Sequence, residues 1–259
     1  MISANLKGGL GNIMFQIATT YTLAIDNDDK CVFRHQTSNQ HGTPSIDNAN
    51  GILSRVSFTT AEGFNPKFAY REPHFHYNKI PYANNLLLDG YFQSEKYFSH
   101  RRKEIINLFS PTEETDEYLT SKYSHLFANE TIGVHVRRGD YLSLPNHHPV
   151  CDKNYYEKAL SLFTNEKEYD IIMFSDDIKW CKDNFDPSFH FVDGEEPAMD
   201  MFLMSKCSHN IIANSSFSWW GAWLNENNGK RVVAPNKWFG KTMNHHNTDD
   251  IYCSEWKVI

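Results

Sequence analysis

Between Thr131 and Phe239 the chain switches repeatedly between short apolar runs and longer amphipathic ones: TIGVHVR, DKNYYEKALSLFTN, YDIIMFSDD, IKWCKDNF, HFVDG, PAMDMFLMSKC, HNIIAN, SFSWWGAWLNEN and RVVAPNKWF. The short runs read as strands, RVVAPNKWF being the last, and the longer ones as helices. The helix at PAMDMFLMSKC opens with proline near its first turn, where a missing amide costs nothing. Strands that alternate with helices over such a length pair by crossovers, which gives an α/β fold with parallel sheets. The chain starts the same way. ISANL reads as a strand, KGGLGN as a loop, and IMFQIATTYTLAI as a helix with Ile13, Ile17, Tyr21 and Ala24 or Ile25 at helical spacing. KCVFR and NLLLDG read as further strands, Gln36 to Asn50 as a polar loop, and YFQSEKYFSHRRKEIINLF as a helix capped by Ser94. The segment SPTEETDEYL restarts the chain with proline, threonine and acidic residues. It divides the chain into two expected Rossmann-like halves, 1–110 and 111–259.

Bulk properties narrow the function classes. The 259 residues are 40% hydrophobic and 22% charged, as in ordinary globular proteins, and suffice for a core that needs no staples. A formal charge of −7 argues against a general nucleic-acid or membrane-surface binder, since phosphate contacts need an excess of Lys and Arg. Any anion site must be local. The 5 cysteines are scattered without C-x-x-C spacing and read as reduced. The N-terminus shows no basic-then-apolar leader and no apolar run reaches about 18 residues, so the expected location is cytoplasmic. On that reading the sequons at Asn129 and Asn214 are unused.

Four constellations carry chemistry. In GVHVRRGDY, a strand delivers Arg137 and Arg138 to its own end, and successive residues of an extended segment point to opposite sides. Guanidinium suits a diphosphate because its fork donates two parallel hydrogen bonds and stays charged. An internal ion pair of an Arg with Asp140 or another carboxylate is the competing account, and both can hold together. His135 faces the same side as Arg137, as a ligand contact or as a buried, hydrogen-bonded histidine. In GGLGN, Gly9 and Gly11 let the backbone approach a ligand ahead of a helix, or simply make a tight turn. Met14 stands where the dinucleotide fingerprint needs its third glycine. In NIIANSSFSWWGAWLN, Ser215 and Ser216 lie between a buried strand and a helix, either as plain caps or as an anion site. Trp219, Trp220 and Trp223 read as core. In FSDD, the adjacent Asp176 and Asp177 lack the spacing of a metal-binding pair, and helix capping by Asp177 and loop ordering by Asp176 are preferred. His147 with His148, and His245 with His246, fall in polar loops without metal-ligand spacing.

Taken in order, GGLGNIMFQIA, GYFQSEKYF, GVHVRRGDY, MFSDDIKWC and NIIANSSFSWWGAWLN resemble the family 11 glycosyltransferases, the α1,2-fucosyltransferases, from Ile2 to Phe239. The family has Gln after the Asn of the glycine loop, where this chain has Ile13. The resemblance implies a GT-B-like fold, two Rossmann-like halves facing a cleft, with the donor GDP-β-L-fucose held mainly by the C-terminal half. It implies inverting transfer to the 2-hydroxyl of a terminal galactose, with no metal and no cofactor beyond the co-substrate. Arg137 would then stabilise the departing diphosphate, with Arg138, Gly9 and Gly11 also on the donor. His135 would contact the nucleoside, Asp200 the guanine, and Ser215, Ser216 and Phe217 the phosphates or ribose. Asn12 would lie near the reacting fucose, and the proton acceptor is left open between Asp140 and His135. Tyr91 and Gln93, or His74 and His76, would meet the acceptor. The implied partners are GDP-fucose and a galactose-terminated oligosaccharide, not nucleic acid, with a peripheral membrane association if the acceptor is lipid-linked. Two other classes are weaker. A nicotinamide-dependent oxidoreductase needs an acidic residue at the end of the second strand, where Arg34 stands. A non-catalytic carbohydrate binder accounts for 6 tryptophans and 13 tyrosines but not for the arginine pair. Another GDP-sugar-dependent transferase is the nearest alternative.

Overall fold

The computed structural model describes residues 1–35, 48–59, 63–163 and 168–259. They form two compact units, Met1–Thr112 with His246–Cys253, and Glu113–His245 with Ser254–Ile259. The return of His246–Cys253 to the first unit departs from an expected second half running unbroken from 111 to 259. Its reason is local: Asp250 accepts from the Tyr77 amide at 2.9 Å and pairs with Lys96, and Ile251 is buried.

In the first unit, β1 (Ile2–Ala4) pairs in parallel with β5 (Leu86–Asp89), and β5 with β4 (Phe68–Arg71). On the other side of β1, an Ile2–Cys31 bridge leads into β2 (Phe33–Arg34), which pairs with β3 (Phe58–Thr59). The strands therefore run β3-β2-β1-β5-β4. Helix α1 (Leu10–Ile25) follows β1 directly and buries Ile13, Phe15 and Ile17. Of the loop expected over Gln36–Asn50, residues 36–47 lie outside the described residues. The helix expected from Tyr91 to Phe109 starts later, as α2 (Arg102–Leu108), preceded by two short 3-10 turns. Phe98 breaks it. That residue leaves helical geometry, with φ −145° and ψ −4°, and is fully buried, its ring 6.0 Å from Phe15, which takes the chain off the helical path between the turns. Ser94 still caps the first turn, accepting from the Lys96 amide at 3.3 Å.

The second unit opens with α3 (Glu113–Tyr123), followed by β6 (Thr131–Val136), α4 (Lys153–Ser161), β7 (Asp170–Ser175), α5 (Ile178–Asn184) and β8 (His190–Phe191). Then come α6 (Pro197–Lys206), β9 (His209–Ile211), α7 (Ser216–Trp223), β10 (Val232–Ala234) and β11 (Lys257–Val258). Its sheet is parallel throughout, in the order β11-β10-β9-β6-β7-β8. Counted along the chain, this is the 3-2-1-4-5-6 order of dinucleotide-binding folds. β6 is buried along its whole length, as expected of a central parallel strand covered on both faces. β11 succeeds the strand expected to be last; both its residues are exposed, so no apolar run marks it. Trp219 and Trp220 are fully buried and Trp223 almost so, with Trp219 5.1 Å from Trp220 and 5.5 Å from Trp256 between ring centroids, which makes them core. Among the described residues, no helix is long and apolar enough to cross a membrane, and no disulfide joins the cysteines.

Candidate active site

A helix that follows a parallel strand begins at the strand's carboxyl end, so α5, α6 and α7 all start on one edge of the second unit's sheet. There the strand order reverses between β6 and β9, the topological switch point at which such sheets hold ligands. The arginine pair leaves the sheet at this point. Arg137 donates to Asp140 Oδ1 at 2.6 Å and pairs with Asp176 Oδ2 at 3.1 Å, its guanidinium carbon 5.2 Å from the Tyr141 ring centroid. Arg138 turns to α5, pairing with Asp177 at 3.0 Å and lying 4.0 Å from the centroid of Trp180. Asp177 caps α5 through the Trp180 amide at 3.2 Å, and Asp176 accepts from the Arg138 amide at 2.9 Å. Capping and loop ordering, the roles preferred for FSDD, describe these two aspartates. The ion pairs foreseen as an alternative are also present. Arg137 remains 27% exposed at its side chain, so it reaches solvent while held by two carboxylates.

Three buried polar atoms here have no hydrogen-bond partner: His135 Nδ1, Arg137 Nε and Asp200 Oδ1. Leaving such atoms unpaired costs free energy that a bound ligand recovers. His135 is enclosed by burial and sits 5.1 Å from the Phe217 ring between centroids. Burial first, then the neighbouring Arg137 charge, push its imidazole down to about 3, so it is neutral and a weak base at pH 7. Asp200 lies in the first turn of α6. Burial, with the Glu195 and Asp193 carboxylates, pushes its carboxyl up to about 8. Ser215 caps α7, its hydroxyl accepting from the Phe217 amide at 3.3 Å, so the bland account of that serine holds locally. Ser216 is the first residue of the same helix.

In the first unit the order also reverses, between β1 and β5. Gly8 takes a positive φ of 82°, which suits glycine, and Gly9 caps α1 with extended backbone. Gly11 and Asn12 fall in the first turn of that helix. Gln93 Nε2 donates to Asn12 Oδ1 at 2.5 Å, and Lys7 Nζ pairs with Asp89 at 2.9 Å, 5.1 Å from the Tyr91 ring centroid. Asn12, Tyr91 and Gln93 are thus brought to one strand-end region. Ile13 is fully buried and makes no polar contribution there. His74, exposed, and His76, half-buried, stack on each other with ring centroids 3.6 Å apart, on either side of the buried Phe75. Arg34 and His35 line a cavity of about 190 Å³ with Ser3, Asn5 and Phe64.

Several supporting residues escape sequence reading. Tyr141 donates to the Asn214 carbonyl at 3.0 Å, tying the loop after β6 to the end of β9. Glu195 Oε1 accepts from Tyr118 at 2.9 Å, Tyr123 at 2.6 Å and Lys122 at 2.5 Å, fixing the approach to α6. Its place two residues before the helix proline, Pro197, is the signal the sequence carries for it. Gln16, fully buried, exchanges two 2.9 Å hydrogen bonds with the Lys7 backbone. Among the described residues, no group of three His, Cys, Asp or Glu side chains is gathered as a metal ion would need.

The chain matches the family described as glycosyl transferase family 11 across residues 1–259. It is 42% identical over 175 residues to the O-antigen biosynthesis glycosyltransferase WbnK of Escherichia coli, covering 62% of this chain and 58% of that relative. It is 29% identical to an α-1,2-colitosyltransferase of Escherichia coli over 92% of both chains. Against galactoside α-(1,2)-fucosyltransferase 2 of Oryctolagus cuniculus it is 28% identical over 86% of this chain and 67% of that one. Among solved structures it resembles the NodZ α-1,6-fucosyltransferase co-crystallized with GDP, with a TM-score of 0.55 and 14% identity, covering 85% of this chain and 90% of that one. That likeness gives the fold, a GT-B-like α/β architecture.

Proposed function

Since the chain belongs to glycosyl transferase family 11, we propose that it moves L-fucose from GDP-β-L-fucose to the 2-hydroxyl of a terminal galactose, with inversion and without a metal ion. The observation that carries the donor assignment is Arg137, solvent-reaching and carboxylate-braced at the switch point where α7 begins. The acceptor linkage draws on the α-(1,2)-fucosyltransferase relative and the nucleotide on the GDP-bound structure. In this reading the second unit holds the donor and the first unit the acceptor.

The galactose O2 attacks fucose C1 as the bond from C1 to the phosphate oxygen breaks. The electron pair of that bond goes to the diphosphate, and the hydroxyl proton leaves O2. Arg137 and the first amides of α7 meet the growing negative charge, in a setting where fixed donors lower the barrier more than water does. The guanidinium exchanges Asp140 for the phosphate, which leaves that carboxylate as proton acceptor in preference to the weakly basic His135. His135 contacts the nucleoside beside Phe217. Asp200 accepts from the N1 and N2 donors of guanine, the pattern that separates guanine from adenine. Ser215 and Ser216 lie along the phosphates, Arg138 braces the loop, and Gly9, Gly11 and Asn12 attend the fucose.

A second reading, GDP-colitose as donor, is favoured by the colitosyltransferase likeness over 92% of the chain. Purified protein incubated with lactose, EDTA and either GDP-sugar separates the two. GDP release with a new linkage on galactose O2 by NMR, from GDP-fucose, is the expected outcome. Transfer from GDP-colitose alone replaces the donor, and transfer to a different position removes the acceptor assignment.

A further inference from the structure

Glu72 follows β4, whose pairing with β5 runs in register through Arg71 and Asp89. One step on, Glu72 faces Gly90, and a Cβ at Gly90 would lie 2.4 Å from the Glu72 Cβ and 2.9 Å from the Phe92 ring. Only glycine allows the strands to stay this close. Glu72 Oε2 accepts from the Tyr91 amide at 2.6 Å and Oε1 from the Phe92 amide at 2.9 Å. Both carboxylate oxygens are therefore spent on the turn that follows β5.

That turn is strained. Phe92 has φ +53°, a left-handed conformation rare for an aromatic residue, and its ring is fully buried at 5.6 Å from Tyr97. The reversal sends three consecutive side chains to different places: Tyr91 is 39% exposed, Phe92 enters the core, and Gln93 bonds Asn12. Strain of this kind persists only where surrounding contacts over-determine it, and it gathers where ligands bind. Hydrogen bonds to a charged acceptor are the strongest of those contacts.

We infer that Glu72 is a positioning residue for the acceptor side: by clamping the Tyr91 and Phe92 amides it sets where Tyr91 and Gln93 meet the acceptor sugar. The inference rests on the proposed acceptor role of the first unit. Glu72 itself touches backbone, and its effect reaches the sugar through the turn.

The test compares wild type with Glu72→Gln, which keeps the shape and one acceptor oxygen, and Glu72→Ala, which keeps neither. For Glu72→Gln, the acceptor KM rises about tenfold, the scale of one lost charge-assisted hydrogen bond, while GDP affinity and kcat stay within about twofold. Amide exchange at Tyr91 and Phe92 accelerates in step, more in Glu72→Ala. A folded Glu72→Gln with lowered thermal stability but unchanged acceptor KM overturns the positioning role and leaves Glu72 a plain structural residue. A lactose titration by NMR without donor separates the two levels. A wild type that binds lactose but transfers nothing sinks the donor assignment alone, and the Glu72 variants are then scored by lactose affinity. A wild type that binds no galactoside overturns both.

Discussion

The two units solve the same topological problem with opposite chemistry. Each sheet reverses its strand order beside its first strand, and each first strand ends in a loop that could meet a ligand. In the second unit β6 ends in two guanidiniums braced by three aspartates, with helix N-termini on the same edge. In the first unit β1 ends in a glycine turn, and the groups brought together are the amides of Asn12 and Gln93 and the ring of Tyr91. Topology supplies the strand-end crevice; the residues at the strand ends decide whether it suits a charged diphosphate or a neutral, hydroxyl-rich sugar. The anchoring differs too. Charge pairs set the arginines, whereas a left-handed turn and the half-buried Glu72 carboxylate set Tyr91 and Gln93.

Substitutions on the two sides test this contrast. The largest effect is expected at Arg137: Arg137→Ala lowers turnover about a hundredfold or more, the scale of losing one strong transition-state donor, and Arg137→Lys restores it only in part because the fork is lost. Turnover measured as GDP release checks it, and a folded Arg137→Ala of nearly full activity breaks the contrast at its charged end. Next is Asp200. Its carboxyl holds a proton up to about 8 in the folded chain against an ordinary 3.8, and must ionise to accept from guanine. GDP affinity then rises with pH below about 8, by about tenfold per unit at most, and calorimetry of Asp200→Asn shows weaker binding without that slope. The folded state binds this proton more tightly than the unfolded one, so the group's contribution to stability is full below about pH 4 and declines as pH rises towards 8. Thermal unfolding of Asp200→Asn should lack that decline.

Tyr91→Ala should act on the other side only, raising the acceptor KM about fivefold through lost ring contact while GDP affinity holds. Equal losses for donor and acceptor would erase the division of labour between the units. The smallest effect is expected from a chelator: with EDTA, turnover stays within about twofold, because in the proposed mechanism Arg137 and backbone amides take the role a metal would have as a Lewis acid. A large loss restored by a divalent cation contradicts the metal-free mechanism.

Legibility followed burial. β6, β7 and β9 announce themselves as apolar runs because parallel strands in the middle of a sheet are covered on both faces. β4 and β11 are largely exposed, carry no such run, and are invisible without their partners. Phe98 shows a subtler failure. The pattern around it is helical, yet one aromatic side chain drawn into the core stops the helix. At the site, Arg137 and His135 stand out from position alone, at the end of a strand, whereas Asp200 enters only through the family resemblance, since an acidic residue in the first turn of a helix is also a plain capping residue. Glu72 and Glu195 do not, since their partners lie 19 to 77 residues away and nothing near them in sequence marks the contact.

The strand-like simplicity of two consecutive halves is misleading for anyone wishing to recombine them. Asp250, which holds the Tyr77 amide and Lys96, is encoded far downstream of the unit it completes. A chimera that borrows the first unit from a relative by a single junction near Thr112 would inherit a mismatched lock, with foreign partners offered to a resident aspartate. Exchanging the first unit of this scaffold therefore calls for two inserts, the second spanning His246–Cys253, moved together as one heritable module.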